Sequence, residues 1–322
     1  MENYEYNVVE KSLTQDFMIK WVWQPFVNIL PRGVTPNMLT YAGVAFVITM
    51  VLGVYMLALG QKWGLLVTAI STFLYMLCDN SDGILARSTG QTSKLGEFLD
   101  HWLDSISFVL VNACIAFCLG FEGEIFFIYI ATMTLAFYVT MWEHHYTGVF
   151  VSGHLGSNES MLIYIIIYTI LFFLPDTSWL VYNGEYNIAF FLLAMAILGS
   201  CFTTIGCLVR VKKQFIDIIL FIAAMLAVGL WSFYQMLDIT FIVAFIVAIN
   251  MIFCGKLVKS HLAKLPSPYR YPLFIIIIPI AFSFPFFPFF APYNLYFVYS
   301  SLIIMYVAGL SDGISCIYKL TR

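Results

Sequence analysis

The sequence predicts an all-α polytopic membrane protein with about ten transmembrane helices and an N-terminal interfacial amphipathic helix. Three observations carry that prediction. The 322 residues are 61% hydrophobic, enough apolar material for roughly ten spans of ~20 residues each. Only 10% are charged, against ~25% in an ordinary soluble domain, which excludes a water-soluble fold. Apolar runs of membrane-crossing length, bounded by charge, Pro or Gly, follow one another along the chain. A net charge of −3, from 15 basic and 18 acidic residues, is too balanced for a nucleic-acid surface, and no nucleic-acid partner is expected. The seven cysteines lie scattered through apolar runs without metal or disulfide spacing and read as packing residues.

Residues 1–16 are polar and carry Glu2, Glu5, Glu10 and Asp16, unlike the basic-then-apolar layout of a cleaved signal, so the first span is expected in the mature chain. Asp16, Lys20, Gln24 and Asn28 then recur every fourth residue, with Phe17, Trp21, Val22, Phe26, Val27 and Leu30 between them. That pattern suits a helix lying in the headgroup layer as an anchor, and Pro25 is placed to kink it. The spans follow at 38–60, 63–87, 96–120, 123–147, 159–175, 186–211, 214–236, 238–259, 271–290 and 293–318. The run Phe282 to Tyr293, broken by Pro285, Pro288 and Pro292, reads as a non-helical connection in an aromatic belt. If the N-terminus is cytoplasmic, fourteen of the fifteen Lys and Arg fall on that side and only Lys62 falls opposite. Both termini are then expected to be cytoplasmic.

Carboxylates in the second and third spans break the apolar pattern. An unpaired Asp at a span centre costs ~2.5–3.5 kcal/mol, so Asp79, Asp82, Asp100 and Asp104 require compensation. At ~100° per residue, Asp79, Asp82, Gly83 and Ala86 share a stripe about 100° wide, and Gly96, Asp100 and Asp104 share another. A short polar turn, 88–93, lets the two stripes face each other. Arg87 and Lys94 are the only nearby cations. All-oxygen ligation suits Mg²⁺ or Mn²⁺, and two such ions can clamp a diphosphate and stabilise displacement at phosphorus.

Asp79, two residues, Asp82-Gly83, two residues, Ala86-Arg87, eight residues, Gly96, three residues, Asp100, three residues and Asp104 resemble the complete signature of the CDP-alcohol phosphotransferase family. The string Leu95-Gly96-Glu97-Phe98-Leu99-Asp100-His101, with Asp104-Ser105, is similar to the eukaryotic choline and ethanolamine phosphotransferase branch. So are Trp142-Glu143-His144-His145-Tyr146-Thr147, the run Pro36-Asn37 with Thr40 and Gly43, and, more weakly, His261 with Lys264 and Pro266. Trp102-Leu103 and Gly156-Ser157-Asn158-Glu159 depart from that branch. The resemblance implies transfer of phosphoethanolamine or phosphocholine from CDP-ethanolamine or CDP-choline to diacylglycerol, with CMP released.

It further implies that Asp79, Asp82, Asp100 and Asp104 hold metal, that Gly83, Ala86, Arg87 and Gly96 receive the nucleotide diphosphate, and that Asn37 touches the nucleotide or caps a helix. His101 is the candidate proton acceptor, with Asp104 as its rival. Glu143 and Glu159 are candidate substrate contacts, and solvation at a helix end is the competing reading of Glu143. Glu97 suits the positive end of its helix and is assigned no partner. Residues 1–322 form one domain: 1–37 interfacial, 38–211 catalytic, 212–322 for lipid access and dimerisation. Membrane lipids, a homodimer, and an endoplasmic reticulum or Golgi location follow from the resemblance. The alternatives are the same chemistry with another donor or acceptor, such as inositol, and a cation-coupled transporter. The acid cluster has no counterpart after residue 160, which disfavours a transporter built from related halves.

Overall fold

A computed structural model describes residues 8–9, 11–151, 153, 156–212, 215–265 and 294–321. Its first helical segment is composite: α1 (Gln15–Met18), a π-helical stretch (Ile19–Trp23) and α2 (Gln24–Ile29). Pro25 has no N–H to give the carbonyl four residues back, and directly before it the Gln24 N–H reaches Ile19 O instead. The kink expected at the proline is thus taken up as a widened turn. Met18, Trp23 and Val27 face the protein, whereas Phe17 and Trp21 are exposed.

Then follow α3 (Pro36–Ala58), α4 (Gly64–Thr89), α5 (Lys94–Cys118), α6 (Gly123–Thr147), α7 (Ser157–Phe173), α8 (Ile188–Val211), α9 (Ile216–Gln235), α10 (Ile239–Leu262) and α11 (Asn294–Leu320). Each matches an expected span to within a few residues. The span expected at 271–290 and the connection at 282–293 lie outside the described residues. Seven of these helices are long and apolar enough to cross a membrane; α4 carries Asp79, Asp82 and Arg87, and α7 has only 17 residues. The protein is an all-α, multi-pass membrane protein. One small departure is a two-residue parallel pairing of β1 (Val8–Val9) with β2 (Phe150–Val151), which ties the N-terminal segment to the loop after α6.

Local chemistry sets the boundaries. Pro36 opens α3 at a position where its missing N–H costs nothing. Asn187 and Asp238 cap α8 and α10 by accepting from the N–H groups of Phe190 (3.2 Å) and Thr240 (2.8 Å). Gly90, with φ 67°, ends α4 in the left-handed conformation, and Ser93 starts α5 by accepting from Gly96 N–H at 3.0 Å. The turn expected at 88–93 is therefore shorter, because Ser88 and Thr89 stay helical.

α10 is the central helix, packed on α5, α6, α9 and α11, and α4 packs mainly on α3 and α7. Outward faces carry Ile48, Leu52 and Tyr55 of α3 and Phe191, Met195, Leu198 and Phe202 of α8, the surface that lipid tails require. α3 and α4 meet at two glycines: a Cβ on Gly64 would lie 2.1 Å from Gly53 O, and one on Gly53 would lie 2.7 Å from Gly64 O. Gly64→Val is expected to destabilise the protein by about 1–3 kcal/mol, read as a lower melting temperature in detergent. An unchanged melting temperature would contradict this packing.

Candidate active site

The close α3–α4 crossing brings Thr40 to Asp82, and the Thr40 hydroxyl donates to Asp82 Oδ2 at 2.6 Å. On α4, Asp79, Asp82 and Gly83 follow Tyr75, whose hydroxyl crosses to α5 and donates to Asp104 Oδ1 at 3.2 Å. Asp79 and Asp104 face each other across the two helices, and Asp100 lies within electrostatic reach of Asp79 and Asp82. The two stripes thus face each other, and four carboxylates converge between α4 and α5. Asp82 is buried and the other three are half-buried.

Arg87 lies beside this group and its guanidinium covers Gly83, where a Cβ would stand 3.2 Å from Nη1. Gly96 is next to Asn37: a Cβ there would lie 3.6 Å from Asn37 Oδ1 and 3.3 Å from the capping Ser93 hydroxyl. Ala86 is half-buried, and its carbonyl accepts from Gln91 N–H at 2.9 Å. A divalent cation fits the aspartates. The donors are all oxygen, and carboxylates brought this close repel one another unless a proton or a cation offsets their charge.

His101, one residue from Asp100, is buried and belongs to two donor groups. One is Asp100, His101 and Asp104; the other is Glu97, His101 and His144. Within each, one ligand atom per residue lies within 4.8 Å of the others. Glu97, assigned no partner from the sequence, in fact sits among histidines: His261 Nε2 is 3.6 Å and His144 Nε2 4.0 Å from Glu97 Oε1. Its position in the first turn of α5 satisfied a helix-dipole argument, which concealed the partners that α6 and α10 supply. Phe150 of β2 stacks on His101 with ring centroids 5.3 Å apart.

Glu143 and Glu159 each have protein partners of their own. Glu143, 2% exposed, is clasped by Nε and Nη2 of Arg210, joining α6 to α8. Glu159 accepts from the Ser12 hydroxyl (2.5 Å), from the Thr14 N–H (3.0 Å) and hydroxyl (2.9 Å), and from Gly156 N–H (2.8 Å). It fastens the N-terminal segment to the start of α7. Sequence reasoning also missed Asn80, which exchanges hydrogen bonds with Asn158 at 3.0 and 3.1 Å, while Asn158 donates to Gln15 at 3.1 Å. No short-range pattern signals that triad. Trp102, bulky where the resembling branch is smaller, fits because Gly255 and Gly313 leave room for its indole, 3.0 and 2.2 Å from their would-be Cβ positions.

Arg210→Met leaves the buried Glu143 carboxylate without its cation. A loss of about 1–3 kcal/mol of stability is expected, and Glu143→Gln in the same chain should recover part of it. Equal melting temperatures for the parent and Arg210→Met would refute the assignment.

Residues 33–205, more than half of the chain, match the CDP-alcohol phosphatidyltransferase family. Among similar proteins, choline/ethanolaminephosphotransferase 1 of Saccharomyces cerevisiae is 31% identical over 171 residues, covering 51% of this chain and 44% of the relative. Cholinephosphotransferase 1 of Mus musculus is 30% identical over 187 residues, covering 56% and 46%. An uncharacterized class-I family protein of Schizosaccharomyces pombe is 28% identical over 190 residues, covering 56% and 49%. The matched region spans about half the length of these relatives.

Proposed function

Because the chain belongs to the CDP-alcohol phosphatidyltransferase family, we propose that it transfers phosphoethanolamine or phosphocholine from the CDP-alcohol to the hydroxyl of diacylglycerol, giving phosphatidylethanolamine or phosphatidylcholine and CMP. The observation that carries this reading is the convergence of four aspartates from α4 and α5 beside Arg87 and Gly83. A soluble-facing acid patch needs no such burial. Relatives that carry choline- and ethanolaminephosphotransferase names support the substrate class.

Asp79, Asp82, Asp100 and Asp104 would hold Mg²⁺ or Mn²⁺, two ions by charge balance. Bound there, the metal supplies neutralisation of the diphosphate and of charge developing on CMP. The chain's own residues do the rest. Thr40 fixes the Asp82 carboxylate and Tyr75 fixes that of Asp104. Gly83 and Ala86 keep the α4 face free of bulk where the nucleotide approaches, and Arg87 pairs with phosphate. Gly96 lets Asn37 come close to the start of α5, placing its amide for the nucleotide. His101 takes the proton from the acceptor hydroxyl, which attacks the phosphorus as the bond to the CMP oxygen breaks. Glu143 and Glu159 serve as anchors of α8 and of the N-terminal segment around this centre.

In this reading the family match over 33–205 supports a catalytic part at 38–211 within one domain, preceded by an interfacial 1–37. Residues 212–322 supply lipid access and a homodimer contact. The one-sided distribution of Lys and Arg supports cytoplasmic termini, and an endoplasmic reticulum or Golgi membrane belongs to the same reading. The test is to incubate purified protein with diacylglycerol, CDP-ethanolamine or CDP-choline, and Mg²⁺ or Mn²⁺. CMP release that requires the lipid and stops with EDTA is the expected result. Release that survives EDTA, or none with either donor, would contradict the proposal.

A further inference from the structure

Glu97 and His101 stand one helical turn apart on one face of α5, the i, i+4 spacing that lets two side chains share a metal ion. His144, near the end of α6, reaches the same point, and all three side chains are buried. His261, near the end of α10, meets Glu97 Oε1 from the other side at 3.6 Å. Phe150 closes the cluster: it stacks on His101 and meets His144 edge-on with centroids 5.9 Å apart.

We propose that Glu97, His101 and His144, with His261 beside them, form a binding site for Zn²⁺ or a similar transition metal, separate from the aspartate site. Two imidazoles and one carboxylate are the ligand set of many zinc centres, whereas Mg²⁺ favours oxygen alone. The geometry is nearly formed. Zinc bonds of ~2.0–2.2 Å put tetrahedral ligand atoms roughly 3.3 Å apart, and here the three candidate atoms lie within 4.8 Å of one another. Small side-chain rotations close the gap. The two neighbouring sites therefore select metals by donor type: hard ions on the aspartates, a borderline ion on the histidines.

His101 is the shared corner of the two groups. A zinc ion on its imidazole occupies the lone pair that would accept the hydroxyl proton, so zinc inhibits transfer. This consequence, unlike the binding itself, rests on the reading of His101 under Proposed function.

The test uses the purified full chain with saturating Mg²⁺ and titrates ZnCl₂ by calorimetry. The expected result is one zinc per chain, bound equally by Asp79→Asn and at least about tenfold more weakly by Glu97→Gln and by His144→Ala. X-ray absorption at the zinc edge of the unaltered chain reads the ligands without any variant, and imidazole scattering is expected. An all-oxygen shell, displacement by Mg²⁺, or loss of binding in Asp79→Asn would overturn the site and place zinc on the aspartates. Bound zinc that leaves CMP release unchanged would overturn the inhibitory role. A chain that transfers nothing with any donor yet binds zinc through histidine would sink the proposed function and leave this site standing.

Discussion

Asp100→Asn is expected to lower CMP release at least a thousandfold, about 4 kcal/mol of lost transition-state stabilisation, while raising the melting temperature of the metal-free protein. The two effects have one cause. Asp100 faces Asp79, Asp82 and Glu97, and the one guanidinium beside the group, that of Arg87, acts on Asp82, so the repulsion on Asp100 is only partly offset. Removing one charge relieves that repulsion when no cation is bound. In the proposed mechanism the same removal takes one ligand from the metal. Melting in EDTA and in Mg²⁺ separates the contributions: the parent gains stability on adding Mg²⁺ and the variant gains little, because a ligand that binds only the native state stabilises by its affinity. A variant that keeps its activity, or melts lower than the parent in EDTA, would argue that Asp100 serves the fold and not the site.

His101→Ala is expected to reduce kcat by about a hundredfold to ten-thousandfold, the range for losing a positioned proton acceptor. Its effect on KM for the CDP-alcohol should be small. The imidazole lies beside Asp100 and Asp104 but contributes no oxygen to the metal group, so stabilisation by Mg²⁺ should survive the substitution. That combination, slow turnover with intact metal binding, distinguishes a proton acceptor from a ligand. Near-normal turnover would pass the role to Asp104. Loss of the Mg²⁺ effect would make His101 a ligand or a structural support of the aspartates.

The features legible in the sequence are those written at helical spacing. The aspartate stripes of α4 and α5 follow from ~3.6 residues per turn, and their convergence follows once a short turn joins the two helices. The spans were legible as apolar runs, and the errors of a few residues at their ends arise where caps decide: Ser93 starts α5 earlier and Gly90 ends α4 later than apolar content alone implies. Contacts between distant helices were not legible. Glu143 meets Arg210 across 67 residues, and Glu97 meets His261 across a still longer separation, so no local pattern distinguishes a buried partner from a solvated helix end. The same holds for Glu159, whose short polar neighbourhood gives no sign that Ser12 and Thr14 will fold back onto it. The π-helical stretch before Pro25 was visible only as a site of distortion, because sequence marks the missing N–H and not how the chain absorbs it.

In the proposed mechanism, aspartates from two neighbouring helices act together as one divalent-metal centre. Titrating the purified protein with Mn²⁺ and following free ion by electron paramagnetic resonance tests it most directly. Two bound ions are expected for the parent chain, with binding sharply weakened by Asp79→Asn on α4 and equally by Asp100→Asn on α5. Mn²⁺ binding that survives both substitutions unchanged would contradict the account.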